Sequence, residues 1–192
     1  MARKKEFDRD QALLLAIAAF RHKGFAGTST DDLIGAMGIG RQSMYDTFGD
    51  KRRLYLEALQ RYNSDSIGAF IRDLEAGATP LAGLTDAMLA FASQAAQTAA
   101  GCMGVQAISE FGIADADVTE VTAVSSQAQG AALERTLAKA RALGEVKADL
   151  DDTAGAHFIG AALAGIKVSA RAGMPAAALQ QIARLAIGAL TP

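Results

Sequence analysis

The sequence predicts an all-α protein of nine helices. Alanine is the strongest helix former, and 8 alanines lie in residues 1–62 and 35 in residues 63–192. Only 3 prolines occur, and the β-branched residues that favour strands are sparse. Apolar residues make up 51% of the chain, which is enough for a core and excludes a fully disordered protein.

The first three predicted helices are closely spaced. Residues 7–23 carry Leu14, Ile17 and Phe20 at helical spacing, and Gly24 ends this helix. Ser29, with Asp32 three positions later, forms a capping box that opens a helix over residues 31–37. The segment 38–40 contains two glycines and breaks that helix, and a third helix spans residues 41–48.

Six longer or later helices follow, separated by turns rich in glycine. The first runs from Lys51 to about Glu75, directly after Gly49 and Asp50. The next spans about 81–99, and a short helix begins near 101–104 and ends around Gly112. A loop over 113–117 precedes a long helix over about 118–143, and the last two helices span about 152–172 and 175–190.

Cysteine content and hydropathy predict a cytoplasmic protein with no membrane partner. The single Cys102 cannot form an intramolecular disulfide or a zinc cluster, which favours a reducing compartment. The first residues run into polar side chains rather than an apolar signal core. The longest uncharged run, residues 87–109, contains several glutamines, whereas a membrane span needs about 20 predominantly apolar residues.

Charge divides the chain into a basic and an acidic part. Residues 1–62 hold 11 basic and 8 acidic side chains, a net charge of +3, and the remaining residues hold 8 and 13, a net charge of −5. The amino-terminal third is therefore the part suited to a polyanion, and its first residues include the basic arm Arg3-Lys4-Lys5.

The two short helices joined by a glycine-containing turn form a helix-turn-helix pattern. Their apolar residues can converge with the first helix in one core, which leaves the polar face of the third helix outward. The predicted core residues are Ile17, Phe20, Leu33, Ile34, Met37, Ile39, Met44 and Phe48.

The outward polar set suits DNA. Arg41 can pair with guanine, Gln42 with adenine and Asp46 with cytosine, because these pairs match in hydrogen-bonding groups. Contacts to phosphate are predicted for Thr28, Thr30, Ser43, Tyr45 and Lys51. The alternative is that these residues form the solvated polar faces of an ordinary helical bundle.

A string of residues over positions 7–62 follows the order and spacing of a known DNA-binding domain. It consists of Ala18-Ala19-Phe20, Lys23-Gly24-Phe25, Thr28-Ser29-Thr30, Leu33-Ile34, Met37-Gly38-Ile39, Met44-Tyr45, Phe48 and Gly49-Asp50-Lys51. With this string, residues 7–62 resemble the DNA-binding domain of the TetR family of transcriptional regulators. One departure is Gly40, since members of the family usually carry Ser or another side-chain cap before the recognition helix.

The resemblance implies two domains: a helix-turn-helix DNA-binding domain over residues 1–50, and a ligand-binding and dimerisation domain over residues 51–192. The helix from Lys51 to about Glu75 connects them. In relatives the last two helices usually pair with those of a second copy. The corresponding apolar residues here are Phe158, Ile159, Leu163, Ile166, Leu179, Ile182, Leu185 and Leu190, with an internal core as the alternative.

An effector pocket is predicted among the helices of residues 51–143. Large apolar residues with few charges indicate a lipophilic or aromatic effector. The candidate lining residues are Phe70, Leu74, Leu84, Met88, Phe91, Cys102, Met103, Phe111 and Val121. The alternative for each of them is plain core.

Cys102 has two interpretations. The Gly101-Cys102 pair resembles that of a subset of the family in which a thiol senses electrophiles or oxidants. Reactivity requires a lowered thiol pKa, from a helix N-terminus or a nearby cation. No Lys or Arg lies within twenty residues of Cys102 in sequence, and the alternative is a structural cysteine.

Other chemistry is not predicted. His22 and His157 are isolated, and no phosphate loop, nucleophile elbow or triad occurs. The acidic group Asp115, Asp117 and Glu120 is expected to cap the long helix rather than hold a cation. No enzyme activity, metal or cofactor is therefore predicted.

The sequence thus predicts a dimeric, ligand-responsive repressor that binds a pseudo-palindromic double-stranded operator and is released by a small molecule. Two alternatives stay open. One is a regulator that responds through the chemistry of Cys102. The other is a helical ligand-binding protein whose amino-terminal domain does not bind DNA.

Overall fold

The computed structural model describes residues 7–97 and 101–192, and the basic arm at residues 3–5 lies outside them. Within these residues the chain forms nine helices and no strand, which confirms the predicted fold class. The helices are α1 (Arg9–Lys23), α2 (Thr30–Met37), α3 (Arg41–Phe48), α4 (Lys51–Glu75), α5 (Pro80–Gln97), α6 (Met103–Phe111), α7 (Ala116–Ala142), α8 (Asp152–Arg171) and α9 (Ala176–Gly188).

The helix boundaries lie within about two residues of the prediction, and the start of α7 shows the physical reason for one of the small differences. The loop predicted over 113–117 is shorter, because α7 already begins at Ala116. Asp115 precedes it and accepts a hydrogen bond from the N–H of Val118 at 3.1 Å. This side-chain cap satisfies a backbone donor of the first turn, so the predicted capping role is confirmed for Asp115.

Packing divides the described chain into two compact units. Unit 1 holds the described residues through Asn63 together with Cys102–Thr122, and unit 2 holds those of Ser64–Gly101 with Ala123–Pro192. The predicted division at residue 50 therefore differs from the packing division, because α6 and the first residues of α7 pack with the first four helices. The roles of the two predicted domains stay predictions.

The core of unit 1 is built around α1 to α4 and α6. Phe20, Leu33, Met44, Leu59 and Met103 are fully buried there. An aromatic group adjoins them: the ring centroids of Phe25 and Tyr55 lie 5.0 Å apart, and those of Phe25 and Phe111 lie 5.4 Å apart. The predicted core of the helix-turn-helix segment is confirmed, although Ile34 is only partly buried.

Polar contacts join α6 to α1 within unit 1. The carboxylate of Glu110 accepts hydrogen bonds from the backbone N–H groups of Phe25 and Ala26, at 3.1 and 3.0 Å. The side-chain amide of Gln106 donates to the carbonyl of Arg21 at 3.1 Å. These bonds connect residues more than eighty positions apart, so α6 and the turn after α1 hold each other in place.

Unit 2 consists of α5, α8 and α9 with parts of α4 and α7. Leu84, Met88, Leu133, Ile159 and Ile166 are fully buried in its core. Arg141 pairs with Asp152 at 2.7 Å, and the N–H of Leu81 donates to Glu145 at 2.9 Å. The segment between α7 and α8 is thereby fixed to helices on both sides.

Candidate nucleic-acid interface

The helix-turn-helix segment is built by strong local signals. Ser29 caps α2 by accepting from the N–H of Asp32 at 3.0 Å, and Asp32 accepts in return from the N–H of Ser29 at 2.8 Å. The predicted capping box is thus confirmed. Gly38 ends α2 with φ 66°, a left-handed conformation that glycine adopts without strain.

Asp32 also joins α2 to α1. The ammonium of Lys23 lies 2.6 Å from its Oδ1. The hydrogen bond from Lys23, followed by those from Ser29, holds the pKa of Asp32 far below its ordinary value. The entry to the helix-turn-helix segment is therefore fixed by ionised groups at neutral pH.

Helix α3 presents a polar face to solvent. Its buried residues, Met44 and Phe48, belong to the core of unit 1. Its exposed residues are Arg41, Gln42, Tyr45 and Asp46. Tyr45 is a large residue, and 42% of its surface is exposed to solvent. An exposed aromatic hydroxyl beside an arginine and an amide offers hydrogen bonds suited to base edges and phosphates.

Two of these side chains are already paired with carboxylates. Arg41 Nη2 lies 2.5 Å from Oδ1 of Asp31, which belongs to the first turn of α2. Gln42 Nε2 donates to Oδ1 of Asp46 at 2.8 Å, one turn further along α3. Asp31 was not among the predicted site residues, because sequence spacing alone did not place α2 against the start of α3.

The prediction for Thr28 is wrong. Thr28 is fully buried, and its hydroxyl donates to the carbonyl of Gly24 at 2.5 Å. It cannot reach a phosphate without losing that bond and leaving the core. Thr30 and Ser43 are half-buried on α2 and α3, and both stay predicted contacts.

Lys51 stands at the first position of α4, as predicted. Its ammonium lies 4.3 Å from the centre of the Phe25 ring, an arrangement in which the ring face attracts the cation. The preceding Asp50 accepts from the N–H of Arg53 at 2.8 Å. A phosphate at this helix start would therefore meet both a cation and a carboxylate.

The predicted pocket residues fall into two cores. Phe70, Leu74, Leu84, Met88 and Phe91 belong to the core of unit 2. Met103, Phe111 and Val121 belong to the core of unit 1, where Met103 is fully buried. Each group packs within the core of its own unit, and the lining of an effector pocket by these residues stays a prediction.

Cys102 lies at the N-cap of α6, and its side chain does not cap that helix. Its neighbour Tyr62 has a raised pKa, first because of burial and then because of Cys102 itself. The guanidinium of Arg21 lies 5.3 Å from the centre of the Tyr62 ring. The fold thus brings a cation into this neighbourhood, although none is near in sequence.

The predicted dimer residues are divided between the inside and the outside of unit 2. Ile159, Leu163, Ile166, Leu179 and Leu190 are buried in its own core, so the prediction that they form an interface is wrong. Ile182 is partly buried. Phe158 and Leu185 are 44% and 65% exposed and stay candidates.

Val168 was not predicted and is 53% exposed on α8. It lies ten residues after Phe158, which at 3.6 residues per turn places the two side chains roughly 80° apart around the helix axis. Among the described residues, no helix is long and apolar enough to cross a membrane.

Two sequence profiles match the chain. The profile described as bacterial regulatory proteins, tetR family, matches residues 13–58. The profile described as tetracyclin repressor-like, C-terminal domain, matches residues 77–186. Together they cover both the helix-turn-helix segment and most of the chain that follows α4.

Individual proteins are similar as well. The HTH-type transcriptional repressor ComR of Escherichia coli (strain K12) is 30% identical over 188 residues, which cover 94% of this chain and 88% of that protein. An uncharacterised HTH-type transcriptional regulator of Bacillus subtilis (strain 168), YezE, is 46% identical over 76 residues. That match spans 40% of this chain and only 39% of the relative.

A solved structure of the same fold contains DNA. It is a cysteine mutant of the TetR family transcriptional regulator CifR, complexed with 26-base-pair double-strand operator DNA. The two chains superpose with a TM-score of 0.86 at 25% identity, over 98% of this chain and all of that one.

Proposed function

The chain belongs to the TetR family of DNA-binding transcriptional regulators, and we propose that it is a homodimeric repressor released from its operator by a small lipophilic or aromatic molecule. It acts in the cytoplasm as a regulator and not as an enzyme. The observation that carries this proposal is the exposed polar face of α3, with Arg41, Gln42 and Tyr45 held on a buried apolar base.

The face of α3 supports sequence-specific rather than purely electrostatic binding. Arg41 offers donors to guanine and Gln42 offers a donor and an acceptor to adenine. Tyr45, Ser43 and Lys51 supply contacts to phosphates, which position a protein on the duplex without reading it. The similarity to CifR, whose structure includes operator DNA, supports the same use of this segment.

A dimer supports recognition of a pseudo-palindrome. Two copies of α3 placed about 34–36 Å apart would meet successive turns of one groove, so each copy would read one half-site. The exposed apolar residues Phe158, Val168 and Leu185 of α8 and α9 offer the surface for pairing. Burial of apolar side chains of this size against a partner lowers the free energy of the dimer.

The proposed effector site lies in the domain of residues 51–192. In unit 2, the rings of Phe70 and Phe91 lie 6.2 Å apart, and the thioether of the neighbouring Met88 belongs to the same core. Such flexible and aromatic side chains can rearrange around an apolar ligand. Effector and operator should weaken each other reciprocally, since linkage acts equally in both directions.

A second candidate is control through Cys102. The observation that favours it is the position of Cys102 at the N-cap of α6, beside Tyr62, whose ring centre lies 5.3 Å from the guanidinium of Arg21. A helix N-terminus and a cation both favour a thiolate. If Cys102→Ser abolishes release of the operator by a quinone, this candidate replaces the reversible effector.

The proposal is tested by selecting bound duplexes from a random DNA pool with the purified protein at a fixed salt concentration. Recovery of a pseudo-palindrome supports a dimeric, sequence-specific regulator and provides the probe for an effector screen. Recovery of unrelated duplexes with salt-sensitive binding would instead favour the helical ligand-binding alternative. The sign of regulation is then measured by transcription from a template that carries the selected site.

A further inference from the structure

The two side chains best suited to reading bases are each held by a carboxylate of the same unit. Arg41 Nη2 lies 2.5 Å from Oδ1 of Asp31, and Gln42 Nε2 lies 2.8 Å from Oδ1 of Asp46. The first pair connects α3 to α2, and the second spans one turn of α3. The polar face of α3 is therefore an arranged set of side chains rather than a group of independent ones.

The pair between Asp31 and Arg41 contributes little to the fold. Both side chains are largely exposed, 80% for Asp31 and 55% for Arg41, and ion pairs in such positions add little stability. The start of α2 is stabilised by the next residue, Asp32, which completes the capping box and forms an ion pair with Lys23. Asp31 is thus available for another role.

We propose that Asp31 is a positioning residue that orients Arg41 for base recognition. The inference rests on the proposed DNA binding of α3. The guanidinium has five N–H donors, and the hydrogen bond to Asp31 is donated by one terminal nitrogen, Nη2. Donors remain for the two parallel hydrogen bonds that guanine accepts in the major groove.

Asp31 also disfavours a competing contact, the binding of Arg41 to a DNA phosphate. A free arginine near a duplex binds phosphate strongly, because the planar guanidinium matches two phosphate oxygens. The carboxylate of Asp31 occupies part of the guanidinium and repels phosphates from it. Both effects act in the same direction: they favour the base edge over the backbone, and so raise specific over non-specific binding.

The pair between Gln42 and Asp46 follows the same principle. The amide nitrogen of Gln42 carries two hydrogens, and Asp46 accepts one of them. The other hydrogen and the amide oxygen remain for the N7 and N6 positions of adenine. Asp46 then orients Gln42 instead of reading cytosine itself.

The experiment compares the wild-type protein with Asp31→Asn in two assays, selection from a random DNA pool and competition between a selected and an unrelated duplex. We expect the ratio of specific to non-specific affinity to fall by about fivefold or more, the lower end for one well-made bidentate pair. The loss of base preference should be confined to one position in each half-site. Affinity for the unrelated duplex should rise.

Three variants make the result specific to orientation. Asp10→Asn removes one exposed carboxylate from the first turn of α1 in the same unit and should leave the base preference unchanged. Asp31→Glu keeps the charge and should retain most of the preference. In an Arg41→Ala background, Asp31→Asn should cause no further loss of base preference, because its effect passes through Arg41.

Two results would overturn the inference. One is an unchanged base preference in an Asp31→Asn protein whose thermal unfolding matches the wild type. The other is an equal loss of preference with and without Arg41, which would mean that Asp31 acts on DNA directly. Failure of the wild-type protein to select any sequence would overturn the proposed function itself, so the two failures are distinguishable.

Discussion

Arg52 donates two hydrogen bonds to the carboxylate of Asp115, from Nη1 at 2.7 Å and from Nη2 at 2.8 Å. The pair joins the first turn of α4 to the residue before α7, and Arg52 also binds Asp117 at 2.7 Å. The bonds from Arg52, followed by that from the N–H of Val118, lower the pKa of Asp115 from 3.8 to about 2.

This pKa shift predicts a specific acid sensitivity of unit 1. A carboxylate whose pKa is depressed by folding stabilises the folded state above its unfolded pKa, and that stabilisation is lost as the pH falls through the folded value. The contribution of Asp115 should therefore be complete above pH 3.8 and disappear towards about pH 2. The midpoint of urea unfolding, followed across this range, should depend less on pH in Asp115→Asn.

Arg52→Gln provides the matched test, because it removes the partner and leaves the carboxylate. The pKa of Asp115 should then return towards its ordinary value, and the pH dependence should flatten in the same way. Asp149→Asn, at an exposed carboxylate of unit 2, serves as the control for loss of charge. An Asp115→Asn protein with the wild-type slope would contradict the assignment.

A second prediction concerns the missing cap of α3. Gly40 has φ −70° and ψ 154°, which any residue can adopt, and α3 receives no side-chain cap from it. A Cβ at this position would meet only Ser43 Oγ, at 3.9 Å. Gly40→Ser should therefore raise the free energy of unfolding by a few tenths of a kcal/mol, roughly the usual difference between these caps.

Thermal unfolding of Gly40→Ser measures this gain, and Gly38→Ser is its control. Gly38 has φ 66°, where a side chain is strained, so that variant should be less stable than the wild type. A loss of stability in Gly40→Ser would show that the backbone at position 40 differs from the one described.

A third prediction concerns the joint between α6 and the turn after α1. Gly24 has φ 73°, and a Cβ there would collide with Oε1 of Glu110. Gly24→Ala should therefore strain the backbone, at a cost of about 1–3 kcal/mol, and also displace Glu110 from Phe25 and Ala26. Glu110→Ala removes only the two hydrogen bonds and should cost about 1 kcal/mol.

A double-mutant cycle separates the backbone strain at Gly24 from the loss of its contact with Glu110. Gly24→Ala should cost less in a Glu110→Ala background, because the collision and the hydrogen bonds are already gone. Chemical denaturation of the four proteins provides the measurement. Strict additivity of the two substitutions would argue against direct contact between Gly24 and Glu110.

A fourth prediction concerns the polar face of α3 and the first residue of α4. Lys51→Ala should weaken binding to all duplexes and reduce the salt dependence of binding by about one unit in the logarithmic slope, as loss of a phosphate contact does. Tyr45→Ala should also weaken binding without a change in base preference. Base preference should change only in variants of Arg41 and Gln42 and of their partners Asp31 and Asp46. Selection of bound duplexes from a random DNA pool measures this preference.

Lys139→Ala is the control for Lys51→Ala, since Lys139 is an exposed lysine of α7 in unit 2. An equal loss of affinity in both variants would indicate a diffuse charge effect. A changed base preference in Tyr45→Ala would mean that Tyr45 reads a base.

The fifth prediction concerns the dimer. Leu185→Arg should convert the protein to a monomer and lower operator affinity, because a single α3 would read one half-site. Light scattering after size-exclusion chromatography measures the mass. Val124→Arg is closely matched, since Val124 is 64% exposed in the same unit, and this variant should remain dimeric.

Local signals predicted the helices well because each signal acts over a few residues. The capping box of Ser29 and Asp32 and the stops at Gly24 and Gly38 depend on neighbours in sequence, and all appear in the structure. Thr28 carries a local signal of a different kind from the one predicted for it. A threonine hydroxyl often bonds a carbonyl four residues earlier, as it does here to Gly24.

Long-range packing could not be predicted in the same way. An apolar stripe shows which face of a helix is buried, but an internal core and a dimer interface have the same composition. Ile159 and Ile166 therefore matched the predicted interface and lie in the core, whereas Phe158, beside them, is exposed. The partnership of Asp31 with Arg41 likewise depends on how α2 and α3 pack, which no sequence spacing specifies.

The composition of unit 1 bears on how such regulators can be recombined. A DNA-binding segment transferred to another protein as residues 1–63 would lack Glu110, Met103 and Phe111. It would lose the core contacts of Met103 and Phe111 and the hydrogen bond that Glu110 accepts from the turn after α1. The exchangeable module is therefore discontinuous: it includes Cys102–Thr122 from the middle of the chain. Chimaeras that carry both segments should fold, whereas those joined at a single crossover should aggregate.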